Sequence, residues 1–230
     1  MGYMATVFLR LLPTVPLTLF FVVISFVLGF FFAMLLAAMK LSRFFPLRLL
    51  ATAYITFIRC APSVVILFLA FFGLPLALSA VGIHVEEAGS NVFTIFTLTL
   101  IASGIMAEMI RAAYLAVSPG QYEAAVSVGL APFQALIKVV APQALYIALP
   151  NFGNMAVALL HESSLAYLIG TIDIIGRANI MSMSAYGAKS VSIYLVVAMI
   201  YWLLSTLIGN GVDLMVSRYG RAFDAVAART

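Results

Sequence analysis

The sequence predicts an all-α polytopic membrane protein with five transmembrane helices, the N-terminus outside and the C-terminus in the cytoplasm. Three observations carry this. Of the 230 residues 65% are hydrophobic and only 9% are charged, with a mean hydropathy of +1.17, where a soluble domain runs near about 25% charged. Five apolar stretches reach the roughly 20 residues that a bilayer-crossing helix needs. The basic residues between those stretches are distributed unevenly, as the positive-inside bias requires. No soluble core hides so much apolar surface, so a soluble enzyme is excluded. Disorder is excluded for the same reason. The net charge of +4 suggests nucleic acid in a soluble chain, but here it needs only to mark a membrane side. The single cysteine, Cys60, excludes a disulfide framework or a cysteine metal cluster within the chain.

The first span covers roughly 14–39. Met1 to Arg10 does not read as a signal peptide, because the apolar run is too long for an h-region and lacks an A-x-A site; it reads as the start of an uncleaved span. Gly29, Ala33 and Ala37 recur every fourth residue. That spacing lets helices approach closely in lipid, either within one subunit or at a dimer seam. The second span, roughly 50–74, is broken by Pro62, and the fourth, roughly 143–165, by Pro150. Such breaks persist where protein or a cavity satisfies the freed backbone groups. The third span covers roughly 92–116 and the fifth roughly 191–216.

The connections set orientation. Lys40, Arg43 and Arg48 follow span one, Arg111 and Lys138 follow span three, and Arg218, Arg221 and Arg229 follow span five. The other side has only Arg10, Arg177 and Lys189, and its loop 75–91 carries Glu86 and Glu87. The richer side marks the cytoplasm. No internal repeat divides residues 1–230, which read as one domain, and Ala225–Thr230 read as a frayed end.

Residues 117–142 form a cytoplasmic segment with explicit helix signals. Ser118 suits the N-cap and Pro119 the first helical position. Gln121, three residues after Ser118, completes a capping box. Gly129 suits the left-handed residue that ends the helix, and Pro132 starts a second short helix. The result is a short, doubly capped helix with Ala124 and Ala125 on its surface. It either docks into a cleft on another protein or lies on the membrane.

Glu123-Ala124-Ala125, three residues, Gly129, nine residues, then Val139, Val140, Ala141 and Pro142 resemble the EAA loop (EAA-x3-G-x9-I-x-L-P) of ATP-binding-cassette importer permeases. Val139 and Ala141 stand where that pattern has Ile and Leu. Further segments resemble the polar amino acid (His/Glu/Gln/Arg/opine) branch of that family, in order along nearly the whole chain. They are Phe57-Ile58-Arg59-Cys60-Ala61-Pro62, Phe72-Gly73-Leu74-Pro75, Ala107-Glu108-Met109-Ile110-Arg111, Pro142-Gln143-Ala144-Leu145 with Leu149-Pro150, and His161-Glu162-Ser163-Ser164-Leu165.

The resemblance implies a type I importer (MetI-like) permease fold in a bacterial inner membrane. It implies a second permease subunit, identical or similar, and a cytoplasmic ATPase dimer docked on Glu123, Ala124, Ala125, Gly129 and Pro142. It also implies a solute-binding protein outside. The chain has no phosphate-binding G-x-x-x-x-G-K-[ST] loop. The expectation is therefore no catalytic residues, metal or cofactor in this chain, with ATP and Mg on the partner ATPase.

A charge near the bilayer centre costs about 2.5–3.5 kcal/mol, so Arg59, Glu108 and Glu162 must face a cavity or a partner. Glu162, followed by Ser163 and Ser164, either meets the ammonium or polar side chain of an amino acid or is structural, in an ion pair with Arg59 or a helix-end contact. Arg59 either holds a substrate carboxylate or is structural. Glu108 and Arg111 lie three apart on one helix face and form a structural ion pair. His161 reads as structural or interface-facing, and a lone His is no metal site. Relatives often carry Gly-Thr in place of Cys60-Ala61, Gln in place of Ile66 and Asn in place of Ile101. The path is therefore expected to be less polar than usual for the branch, which counts against a strongly cationic substrate such as arginine and leaves room for cystine, another sulfur-containing amino acid or a less polar derivative; the expected substrate is a polar or sulfur-containing amino acid. The alternative function is a secondary carrier or channel subunit for small polar solutes. The absence of an inverted repeat argues against it.

Overall fold

The computed structural model describes residues 2–85 and 88–227, with side chains as far as Arg218. Glu86 and Glu87, the side chains of Arg221 and Arg229, and the end of the tail lie outside the described residues.

The described residues form helices and connections only. Helix α1 (Tyr3–Leu11), which extends the first span beyond its expected start near residue 14, passes through a 3-10 turn (Leu12–Thr14) into α2 (Val15–Leu41). Together they form one apolar helix of 39 residues. The prolines at 13 and 16 do not break it: each sits in the first turn of its element, where its fixed φ suits the helix, and the Val15 N–H bonds to the Leu12 carbonyl that Pro16 cannot serve.

The second span is the most irregular. Helix α3 (Phe45–Cys60) ends at Ala61-Pro62, both extended, and α4 (Ser63–Phe68), a π-turn (Leu69–Gly73) and α5 (Leu74–Ser79) follow. The two halves bend by 114°. Pro62 lacks an N–H and pushes Ala61 out of the helical region, which is why the turn falls there.

Helix α6 (Ser90–Ala116) is the centre of the bundle. Buried residues lie on several of its faces, including Thr94, Thr97, Thr99 and Ser103, and it packs on α2, α3, α4 and α9. The Gly29, Ala33 and Ala37 ridge is buried against it: a Cβ on Gly29 would lie 2.5 Å from that of Ala102. The ridge therefore packs within the subunit and is not a dimer seam. Ser25 donates to the Ile95 carbonyl at 3.2 Å, and Lys40 meets Glu108. These pairings show that α2 and α6 run in parallel.

Short helices α7 (Pro119–Ser127) and α8 (Pro132–Ala135) and a π-turn (Leu136–Val140) lead into α9 (Ala141–Glu162). Pro150 does not break α9, contrary to expectation. An interior proline removes one backbone bond, and the flanking turns, with Ala148, Phe152 and Met155 buried, hold the helix together. A 3-10 segment (Ser163–Ile169) and α10 (Ile174–Ser184) follow, then α11 (Ser190–Ala227). His161 lies 3.2 Å from Ser205, and Gly153 abuts Val212, so α9 and α11 are antiparallel. The bundle therefore has two ends. One carries α7 and α8; the other carries α1, the 163–169 segment and α10.

Candidate functional site

The segment between α6 and α9 is held by backbone geometry. Gly129 has φ +95°. Its N–H bonds to the Val126 carbonyl at 3.0 Å and the Leu130 N–H to the Ala125 carbonyl at 3.2 Å, which closes the end of α7 as a Schellman-type cap. Pro119 occupies the first turn, and Pro132 opens α8. The capping box, however, does not form. The Ser118 side chain makes no cap bond, and Gln121 instead accepts from Gln143 Nε2 at 3.3 Å. Gln121 thereby ties α7 to the first turn of α9, a tertiary bond that competes with the local one.

Ala124 is exposed, but Ala125 is buried, contrary to the expectation that both face outward. The nine-residue helix packs on α8 and the 136–140 turn, so one face must turn inward, and a small side chain there lets it lie close. Glu123 is exposed and lines a shallow cavity with Tyr114, Ser118 and Tyr122. Around α7 and α8, Val128 is 81% and Phe133 73% exposed. An apolar, outward-facing patch of this kind at the end of a bundle suits a partner surface. Pro142 stands in the first turn of α9.

Near this end lies a three-membered charge cluster. Arg111 donates to Glu108 through Nε at 2.9 Å and also through Nη2, and Lys40 Nζ donates to the other carboxylate oxygen at 2.7 Å. The sequence spacing gave Arg111, but Lys40 comes from α2, 68 residues away. Nothing in local periodicity indicates such a partner, and by position in the sequence Lys40 belongs with the loop cations.

The four residues expected along the path lie on two parts of the fold, the end of α3 and the junction of α9 with the 163–169 segment. Glu162 ends α9 half-buried, Ser164 is half-buried beside it, and Arg59 is exposed at the end of α3. Among the described residues no ion pair joins Arg59 to Glu162. Ser163 is fully buried, and its hydroxyl donates back to the Leu160 carbonyl at 2.7 Å. Ile66 and Ile101 are buried in the main apolar cluster. Their apolar character therefore serves packing within the subunit and says nothing about the path; of the positions invoked for its polarity, Cys60 is exposed and Ala61 half-buried.

Sequence reasoning missed Asp173. It is the N-cap of α10, where its Oδ1 accepts from the Gly176 N–H at 2.8 Å. It is fully buried and its Oδ2 has no hydrogen-bond partner. Burial pushes its carboxyl up to about 6 from an ordinary 3.8, against the backbone N–H bonds that favour the charged form. An Asp just before an apolar helix was the available signal.

Residues 25–221 match the family described as binding-protein-dependent transport system inner membrane component. The L-cystine transport system permease protein TcyL of Bacillus subtilis (strain 168) is 34% identical over 192 residues, covering 84% of this chain and 80% of that protein. The probable glutamine ABC transporter permease protein GlnM of the same organism is 35% identical over 201 residues, covering 86% of each. Among solved structures, an amino acid ABC transporter with histidines superposes with a TM-score of 0.79 at 30% identity, covering 91% of this chain and 94% of that one.

Proposed function

The chain belongs to the family of binding-protein-dependent transport system inner membrane components, and on that footing we propose that it forms the path for a polar or sulfur-containing amino acid such as cystine. It is a permease subunit of an ABC amino acid importer, with the type I importer fold, in the inner membrane. It is not itself the ATPase, and its family works with an ATPase and a binding protein.

The observation that carries the coupling part of the reading is the α7 cap. Gly129 at φ +95° holds a short helix rigidly at one end of the bundle, with Glu123 and Ala124 facing outward. The ATPase dimer docks there, and nucleotide and Mg reside on it. That end is cytoplasmic, so the N-terminus is outside and the C-terminus inside, in accord with the distribution of basic residues. A second permease subunit completes the path. Glu162 and Ser164 at the end of α9 take the substrate's ammonium group, Arg59 receives its carboxylate, and Ser163 supports that turn from within. The similarity to an L-cystine permease supports the sulfur-containing class.

The test is uptake of labelled cystine into proteoliposomes holding the permease, its ATPase and its delivery protein. ATP-dependent accumulation competed by unlabelled cystine, and not by arginine, is expected. Accumulation driven by an ion gradient without ATP would overturn the coupling reading; ATP-driven uptake of a different amino acid would overturn only the substrate.

A further inference from the structure

At the end of the bundle opposite α7, the side chains of Arg10 from α1, Arg177 from α10 and Lys189 just before α11 line one open cavity of about 520 Å³, together with Tyr3, Thr6 and Ser184. Among the described residues no carboxylate forms an ion pair with any of the three. Lys189 Nζ instead sits 4.3 Å over the Tyr3 ring. Three like charges gathered around one cavity repel one another unless an anion joins them. They are also the three cations that stand apart from the cytoplasmic set in the sequence, and the fold brings them together from three elements.

Depth in the membrane indicates the anion. At 1.5 Å per residue the 27 residues of α2 span about 40 Å, already more than the hydrocarbon core of about 30 Å. Helix α1 continues α2 in the same helix, so it emerges among the headgroups. Val7 and Leu11 are buried against the bundle, while Tyr3, Met4 and Leu9 are exposed. An amphipathic end with an aromatic and basic groups is how helices anchor at the lipid interface. Thr6 adds a hydroxyl for phosphate oxygens, while the Ser184 hydroxyl donates to the Ile180 carbonyl at 2.8 Å.

We propose that this cavity binds the phosphodiester headgroup of an anionic phospholipid in the leaflet on the α1 side, clasping α1 to α10 and α11. The proposal does not depend on which amino acid is carried.

The test uses the complete importer, purified in mild detergent and delipidated. Native mass spectrometry reads retention of phosphatidylglycerol against phosphatidylcholine, with inorganic phosphate as a separate competitor. Phosphatidylglycerol is expected to be preferred. The R177Q/K189Q double variant should bind it roughly 25-fold more weakly, since each basic group at an anionic surface contributes about fivefold. R177K/K189R should bind as wild type, and R43Q, at the other end, should change nothing. An unchanged thermal midpoint in the double variant shows that the fold is intact; if that variant unfolds, the single variants R177Q and K189Q are read instead. Equal retention by wild type and the neutral variants overturns the proposal. Full displacement by equimolar inorganic phosphate would mean a free-anion site. Unchanged lipid retention with lost stimulation by the delivery protein would mean a protein-docking site. Either result overturns the lipid assignment.

Discussion

Replacing Gly129 with alanine isolates a single physical term. The residue has φ +95°, and a Cβ there meets nothing within 4 Å, so no neighbour is displaced. The whole penalty is backbone strain, about 1–2 kcal/mol for a residue with a side chain in the left-handed region. That converts to a factor of about 5 to 30 in the population of the capped α7 end. Asparagine tolerates this region better, so G129N should fall between. The assay is reconstituted uptake together with ATPase stimulation by substrate-loaded delivery protein. Uptake should drop in the order Gly, Asn, Ala, while basal ATPase activity and the thermal midpoint stay near wild type, because the residue supports only the cap. Wild-type uptake in G129A would refute the claim that a rigid α7 end is required, and so would collapse of the whole bundle.

Three further outcomes follow from the packing and charges. Gly29→Ala places its Cβ 2.5 Å from that of Ala102, so it should destabilise the bundle by about 1–3 kcal/mol; adding Ala102→Gly should restore most of that in a double-mutant cycle of thermal unfolding in detergent. Glu108→Gln leaves Lys40 and Arg111 without their carboxylate and should cost about 1–3 kcal/mol, less than for a fully buried pair because these side chains are 20–28% exposed; a midpoint equal to wild type would show that the cluster contributes nothing. Asp173 has a folded-state carboxyl pKa raised to about 6 from 3.8, so the folded state binds its proton more tightly than the unfolded chain. Stability should therefore rise as pH falls from about 6 to 4, by up to about 3 kcal/mol. Asp173→Asn keeps the N-cap acceptor and should flatten the thermal midpoint over that window relative to wild type.

What was legible in the sequence was local. Composition announced the membrane, Gly129 and Pro132 announced the ends of two short helices, Pro62 announced a break, and the 108–111 spacing announced an ion pair. The misses share one cause, since each depends on where another element lies. Lys40 joins Glu108 because α2 and α6 run in parallel in close contact. Gln121 leaves its local partner for Gln143. Ile66 and Ile101 differ from the branch's residues, but burial in the subunit core decides what that difference means. Pro150 failed as a break because the cost of one lost bond is small beside the packing of the turns around it.

The same dependence bears on coupling. An isolated nine-residue helix is unstable in water, so α7 owes its shape to the bundle it rests on. Ala125 is buried, α7 packs on α8 and the 136–140 turn, Gln121 reaches α9, and Gly129 closes the far end. A force applied to the exposed Glu123 and Ala124 side would pass to α9 through the 136–140 turn on which α7 packs and through the polar contact at 143. A larger side chain at 125 lifts the helix off its seat without touching the outer face. In this chain the second alanine of the motif is thus a packing requirement set from within, while the glutamate and first alanine are free to be set by whatever binds outside.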